Sequence, residues 1–148
     1  MDKSCIGFLV KAKKAAQAAG APGKIEPSRP NAHDFEYKED RFKYYDSFLG
    51  SGKFAGQEGL WKQEMPIWAM NYTGRVLALG FSEEFLKKAL MQVDEDVPLR
   101  GPAEYADGDY LYKCSYEGSM KWFSGREEIF HKGKLVYECI FNGGEVLD

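Results

Sequence analysis

The sequence lacks most of the residue groupings that announce a reaction. Its three cysteines, Cys5, Cys114 and Cys139, form an odd set with no CxxC spacing. That argues against a disulfide framework and predicts three small buried hydrophobes in a reducing compartment. There are only two histidines, His33 and His131, with no HxxxH or HExxH spacing, so no metal centre is expected. No apolar run approaches the roughly 20 residues that cross a bilayer, and "CIGFLV" is too short for a signal-peptide core. We therefore expect a cytoplasmic, bacterial-type protein without a membrane partner. A surplus of positive charge is missing as well: the net charge is −3, which argues against nucleic-acid binding by this chain.

What is plentiful is aromatic surface. Ten Phe, nine Tyr and three Trp make up 15% of a 148-residue chain that is 44% hydrophobic and 29% charged. That length and balance fit one folded domain, residues 1–148. Aromatics favour strands and line ligand pockets.

Two helices are expected. In residues 3–19, Cys5, Phe8, Leu9, Ala12, Ala16 and Ala19 recur at spacings of three or four. Lys11, Lys13, Lys14 and Gln17 then form the solvated face. Asp2 is the N-cap and Gly20 the stop. The second helix, from about Glu83 to Val93, starts at Ser82 with Glu83 and Glu84 in its first turn. Residues 20–34 and the stretch "DEDVPLRGPAEYADG" read as loops. Between and after them lie six strands: "RFKYYDSFL", "KFAGQEGLWK", "PIWAMNYTGRVLAL", "DYLYKCSYE", "MKWFSGREEIFH" and "KLVYECIFN".

The second half resembles the first. "GQEGLWKQEMPIWAMNYTG" at 56–74 aligns with "GREEIFHKGKLVYECIFNG" at 125–143 at an offset of 69, with Gly56/Gly125, Glu58/Glu127 and Gly74/Gly143 identical. Apolar positions correspond too: Leu60 with Ile129, Trp68 with Tyr137, Tyr72 with Phe141. The expected fold is α+β. Two pseudo-symmetric repeats, about 3–80 and 82–148, each a helix and a three-stranded antiparallel meander, pack together around an aromatic pocket.

Strand alternation puts Trp68, Met70 and Tyr72, and likewise Tyr137, Cys139 and Phe141, on the faces that meet the helices. The opposite faces are also partly apolar, which predicts a cleft or a second subunit there. Glu58 and Glu127 sit mid-strand. They either point to water, pair with Arg75 and Arg126, or orient a ligand in the pocket. In "SRPNAHDFEY", residues 28–37, His33 and Asp34 are adjacent and point to opposite sides. The stretch reads as an ordered polar loop, with Asx-type turns at Asn31 and Asp34 and Arg29 paired with a carboxylate. "GSGKF" lacks the full phosphate-loop pattern and joins two strands.

With "SRPNAHDFEY", "YYDSFLGSGKFAGQEGLW", "PIWAMNYTGRVL" and "LRGPAEYADGDYLY" in view, the chain resembles a bacterial family of domains of unknown function. Some members of that family are fused to Cro/repressor-type (XRE) helix-turn-helix regulators. The resemblance spans about Phe8 to Gly143 and departs at Ala32, where a serine is usual. It implies no activity, but it implies a sensing or dimerising role. The architecture is also similar to effector-binding domains of multidrug-responsive regulators.

The favoured function is a small-molecule-binding or sensing module. Its site is drawn from Tyr45, Glu58, Trp61, Trp68, Asn71, Tyr72 and Glu127, with His33 and Asp34 at the lip and Arg29 and Asn31 also assigned to ligand binding. The alternative is an interaction or homodimerisation module. An enzyme, with His33 as base, ranks last, and no catalytic residue, metal or cofactor is assigned.

Overall fold

The computed structural model describes residues 1–18, 20 and 22–148. Helix α1 is Lys3–Gln17 and α2 is Glu83–Leu90. The strands are β1 (Lys24–Ile25), β2 (His33–Glu39), β3 (Phe42–Gly50), β4 (Lys53–Lys62), β5 (Met65–Val76), β6 (Glu104–Asp107), β7 (Tyr110–Ser119), β8 (Trp122–His131) and β9 (Lys134–Glu145).

All nine strands form one antiparallel sheet in the order β1-β2-β3-β4-β5-β9-β8-β7-β6. This corrects the expectation of two separate meanders packed against each other. The last strands of the two meanders, β5 and β9, pair edge to edge from Trp68–Glu145 to Val76–Tyr137. A free strand edge leaves a row of backbone N–H and C=O groups without partners, and joining the two edges removes both rows. The halves correspond in register. Tyr72 lies opposite Gly56 and Phe141 opposite Gly125, and the ladders slip at Leu60/Trp61 and at Ile129/Phe130. Three strands, two of them short, lie within stretches read as loops or left unassigned. β1 and β6 are too brief for a period-2 pattern to register, and β2 begins inside the polar segment at His33.

Both helices lie on one face of the sheet. The Asp2 side chain accepts from Cys5 N and opens α1; Ser82 accepts from Phe85 N and opens α2. Ala19, which the periodicity assigns to α1, lies outside the described residues. α2 stops at Leu90, short of Val93. Its end tightens into Gln92 N→Ala89 O and Val93 N→Leu90 O bonds, and the Asp94 carboxylate then takes the Asp96 and Val97 N–H groups. Under the helices lies the core: Phe8, Leu9, Tyr44, Leu60, Trp68, Met70, Phe85, Tyr112, Ile129, Tyr137, Cys139 and Phe141 are among its buried members. All three cysteines are buried and unpaired. Among the described residues, no helix is long and apolar enough to cross a membrane.

Candidate functional site

The face beneath the helices holds two charged clusters, built alike. Glu58 on β4 is buried at 3% exposure and accepts from Tyr44 on β3 (2.7 Å) and from Lys13 on α1 (2.5 Å). Lys13 also donates to the Leu99 carbonyl. Glu127 on β8 is fully buried. It accepts from Tyr112 on β7 (2.5 Å), from Tyr137 on β9 (2.7 Å), and from both Nε (3.2 Å) and a terminal nitrogen (3.0 Å) of Arg100. The Arg100 guanidinium lies 5.1 Å from the Tyr72 ring centroid, so it spans the β5–β9 junction. Burial opposes its charge, but Glu127 more than offsets this and holds it firmly protonated.

These contacts correct two expectations. The carboxylates neither face water nor pair with Arg75 and Arg126; those arginines bind Glu138 on the other face. Lys13, assigned to the solvated face, is buried. A signal for it existed: it stands three residues after Val10 and four after Leu9, on the apolar stripe. Arg100 sits in an aperiodic loop, and nothing local sets Tyr44, Tyr112 and Tyr137 apart from the other strand aromatics.

Asp46 is the cross-strand neighbour of Glu58 and accepts from Tyr72 (2.6 Å). Burial, reinforced by the Glu58 charge, raises its pKa to about 7, against lowering by Tyr72, Lys13 and Arg100. Burial and the same two carboxylates keep the Tyr72 phenol protonated. The folded state thus holds a proton on Asp46 over a range where the unfolded chain, with an ordinary value of 3.8, has lost it. Stability from this group is full below that value and disappears as pH rises through about 7. Asp46→Asn should flatten this dependence and gain about 1–2 kcal/mol over the parent at pH 8, allowing for partial exposure. Urea melts of both proteins at pH 5 and pH 8 check this. Equal differences at the two pH values would refute it.

The polar stretch 28–37 folds over the far side of β2 and β3. Asp34, at 2% exposure, accepts from Ser28 N (3.0 Å), Ser47 (2.7 Å) and the Tyr45 hydroxyl. Burial would raise its pKa, but these hydrogen bonds outweigh it and hold the carboxyl well below the usual range. Arg29 reaches Asp34 only through Ser47, to which it donates at 2.6 Å, and so does not pair directly with a carboxylate. Asn31 adopts a left-handed φ of 56°. His33 is exposed and stacks on Phe48 at 4.8 Å, while Asp34 points to the opposite face.

The sequence-predicted residues are therefore split between faces. Glu58, Trp68, Tyr72 and Glu127 lie beneath the helices. Tyr45 and Asn71 lie on the uncovered face, with Trp61, whose ring packs against Gly59. The space around Glu58 and Glu127 is filled by protein donors. The Trp68 indole N–H is buried there without a partner among the described residues.

The uncovered face carries a groove of about 740 Å³. Register explains its lining. One cross-strand row runs Leu49–Ala55–Thr73–Ile140–Arg126, and the next runs Lys53–Arg75–Glu138. On its other side the apolar row is bounded by an amide ladder, in which Gln57 donates to Asn71 (2.8 Å) and Asn71 to Asn142 (3.2 Å). Sequence reasoning recognised this face as too apolar for a wet surface, but without the strand partners it could not assemble the rows. Among the described residues, no group of three His, Cys, Asp or Glu side chains is placed to hold a metal.

No curated protein and no solved structure matches the chain. A family profile does, over residues 46–146. That span begins at Asp46 and includes both carboxylate-bearing strands, Arg100, the groove and the β5–β9 junction, but leaves out α1 and the 28–37 stretch. The chain belongs to the family of the domain of unknown function DUF5680.

Proposed function

We propose that the chain is a small-molecule-binding module and that its ligand lies in the groove on the uncovered sheet face. The observation that carries this is the juxtaposition of an apolar row and a charged row in a depression of about 740 Å³, within the roughly 300–1,000 Å³ of ligand sites. The buried carboxylates, first candidates for ligand contact, serve the fold instead, because protein donors occupy them. A thermal-shift screen of metabolites tests the reading. Ile140 is 55% exposed, so Ile140→Asp should leave folding intact and abolish the stabilisation given by the parent's hits. Hits that stabilise Ile140→Asp as well as the parent would place the ligand elsewhere.

A second reading is homodimerisation through the same face. It is favoured by the exposure of Trp122 (82%), whose register partner Gly144 shares the face, and of Ile140. Light scattering showing a monomer at high concentration removes it. A regulatory role rests on the resemblance to domains fused to helix-turn-helix regulators, with this chain as the sensing part. We also read the two halves as copies of one ancestral unit. Support comes from the shared register of Gly56–Tyr72 with Gly125–Phe141 and from ladder slips at equivalent places.

A further inference from the structure

We propose that the groove takes a small amphipathic anion, with its carboxylate or phosphate head at Lys53 and Arg75 and its apolar body along Leu49, Ala55 and Ile140. This rests on the groove being the ligand site. The argument begins with a cost. Lys53 and Arg75 are direct cross-strand partners, and like charges so placed repel one another. Among the described residues Lys53 has no ion pair. Arg75 commits its Nε to Glu138 at 2.7 Å and remains 56% exposed, so its terminal nitrogens have donors to spare.

Charge distribution points the same way. The groove's charged lining is Lys53, Arg75, Arg126 and Glu138, a surplus of two positive charges on a chain whose net charge is −3. Glu138 lies between Arg75 and Arg126 and bonds both, so it is a built-in competitor for an incoming anion. A guanidinium beside an ammonium suits a planar or tetrahedral oxyanion. The neighbouring row supplies the apolar half of the ligand, since Leu49 and Ile140 are 41% and 55% exposed. The occupant is a free molecule rather than a bilayer. The volume suits one ligand, and the net negative charge of the chain repels an anionic membrane.

The test uses four probes: monomeric decanoate, decanol, decyltrimethylammonium, and phosphatidylcholine vesicles containing phosphatidylglycerol. Binding is followed by calorimetry and by amide chemical shifts in the full chain. Decanoate should perturb Thr73 and Ile140 and bind more weakly as salt rises. Lys53→Ala and Arg75→Ala, both at exposed positions, should each weaken it about tenfold. Glu138→Gln should tighten it about two- to fivefold, by freeing both arginines.

Decyltrimethylammonium binding as tightly as decanoate would overturn the assignment, as would unchanged affinity in both alanine variants. Recruitment to the vesicles without binding of monomeric decanoate would overturn it in favour of a lipid surface. Decanol bound at Thr73 and Ile140 as tightly as decanoate would retain the groove as a ligand site and overturn the anion. No perturbation of the groove by any probe would sink both readings.

Discussion

Replacing Arg100 with methionine should lower the unfolding free energy by about 3–5 kcal/mol at neutral pH. The substitution keeps the bulk of the stem and removes the guanidinium. Glu127, at 0% exposure, is then left without a cation, with only the Tyr112 and Tyr137 hydroxyls as donors. A buried carboxylate stripped of its cation is among the costliest defects a single substitution makes, and the loss is a large share of the 5–15 kcal/mol typical of a whole domain. Two further effects separate this account from simple loss of packing. Arg100→Lys should recover little, since one ammonium cannot reproduce the two-pronged contact made by Nε and a terminal nitrogen. Arg100→Met combined with Glu127→Gln should recover a substantial part, because no uncompensated charge remains. Urea denaturation of the four proteins measures all of this, and a loss below about 1 kcal/mol in Arg100→Met would refute the clamp.

The same residue shows where sequence reading reaches its limit. Strand alternation placed Trp68, Tyr72, Tyr137 and Phe141 beneath the helices, and the structure buries all four. Caps at Asp2 and Ser82 were readable because they depend on a side chain and a backbone N–H three residues away. Arg100 depends instead on partners far along the chain: Glu127 by 27 residues, and Tyr72 across the junction of β5 and β9. No local period encodes that junction. The two meanders were legible as units, but whether they would stack face to face or join edges is set by the matching of β5 to β9. That match follows from a register that neither strand specifies alone.

The groove follows the same logic. Leu49, Ala55, Thr73, Ile140 and Arg126 lie on five strands and become neighbours only when four ladders are aligned. Their individual sequence contexts are unremarkable alternations. Asp34, by contrast, belonged to a visibly unusual stretch, and the structure shows why: a carboxylate at 2% exposure needs Ser28, Tyr45 and Ser47 around it. Rarity of side chains in a segment therefore marked a polar anchor for a loop. The apolar excess on the far face of β5 and β9 marked the groove.

Lys13→Met should produce the second large loss, again about 3–5 kcal/mol at pH 7, with a distinctive dependence on acidity. Lys13 is the cation of a pair whose side chains are only 7% and 3% exposed, and it also satisfies the Leu99 carbonyl. Without it, Glu58 keeps one donor, Tyr44, and neighbours Asp46 across the ladder with no ammonium to offset their charge. Two neighbouring carboxylates in that setting favour taking up a proton, and the folded variant then binds protons more readily than its unfolded chain does. By linkage its stability must rise as pH falls. The parent already leans this way through Asp46, whose pKa of about 7 makes the window from pH 7 down to pH 5 the informative one. The gap between parent and Lys13→Met should be widest above pH 7 and narrow steadily toward pH 5. Glu58→Gln on the Lys13→Met background should close most of the gap at pH 8, since it removes the uncompensated charge and leaves an amide that Tyr44 can still bond. Denaturation at pH 5, 7 and 8 distinguishes these outcomes. A gap that stays constant with pH would mean Lys13 acts through its aliphatic stem alone, and the electrostatic account of how α1 is fastened to the sheet would fail.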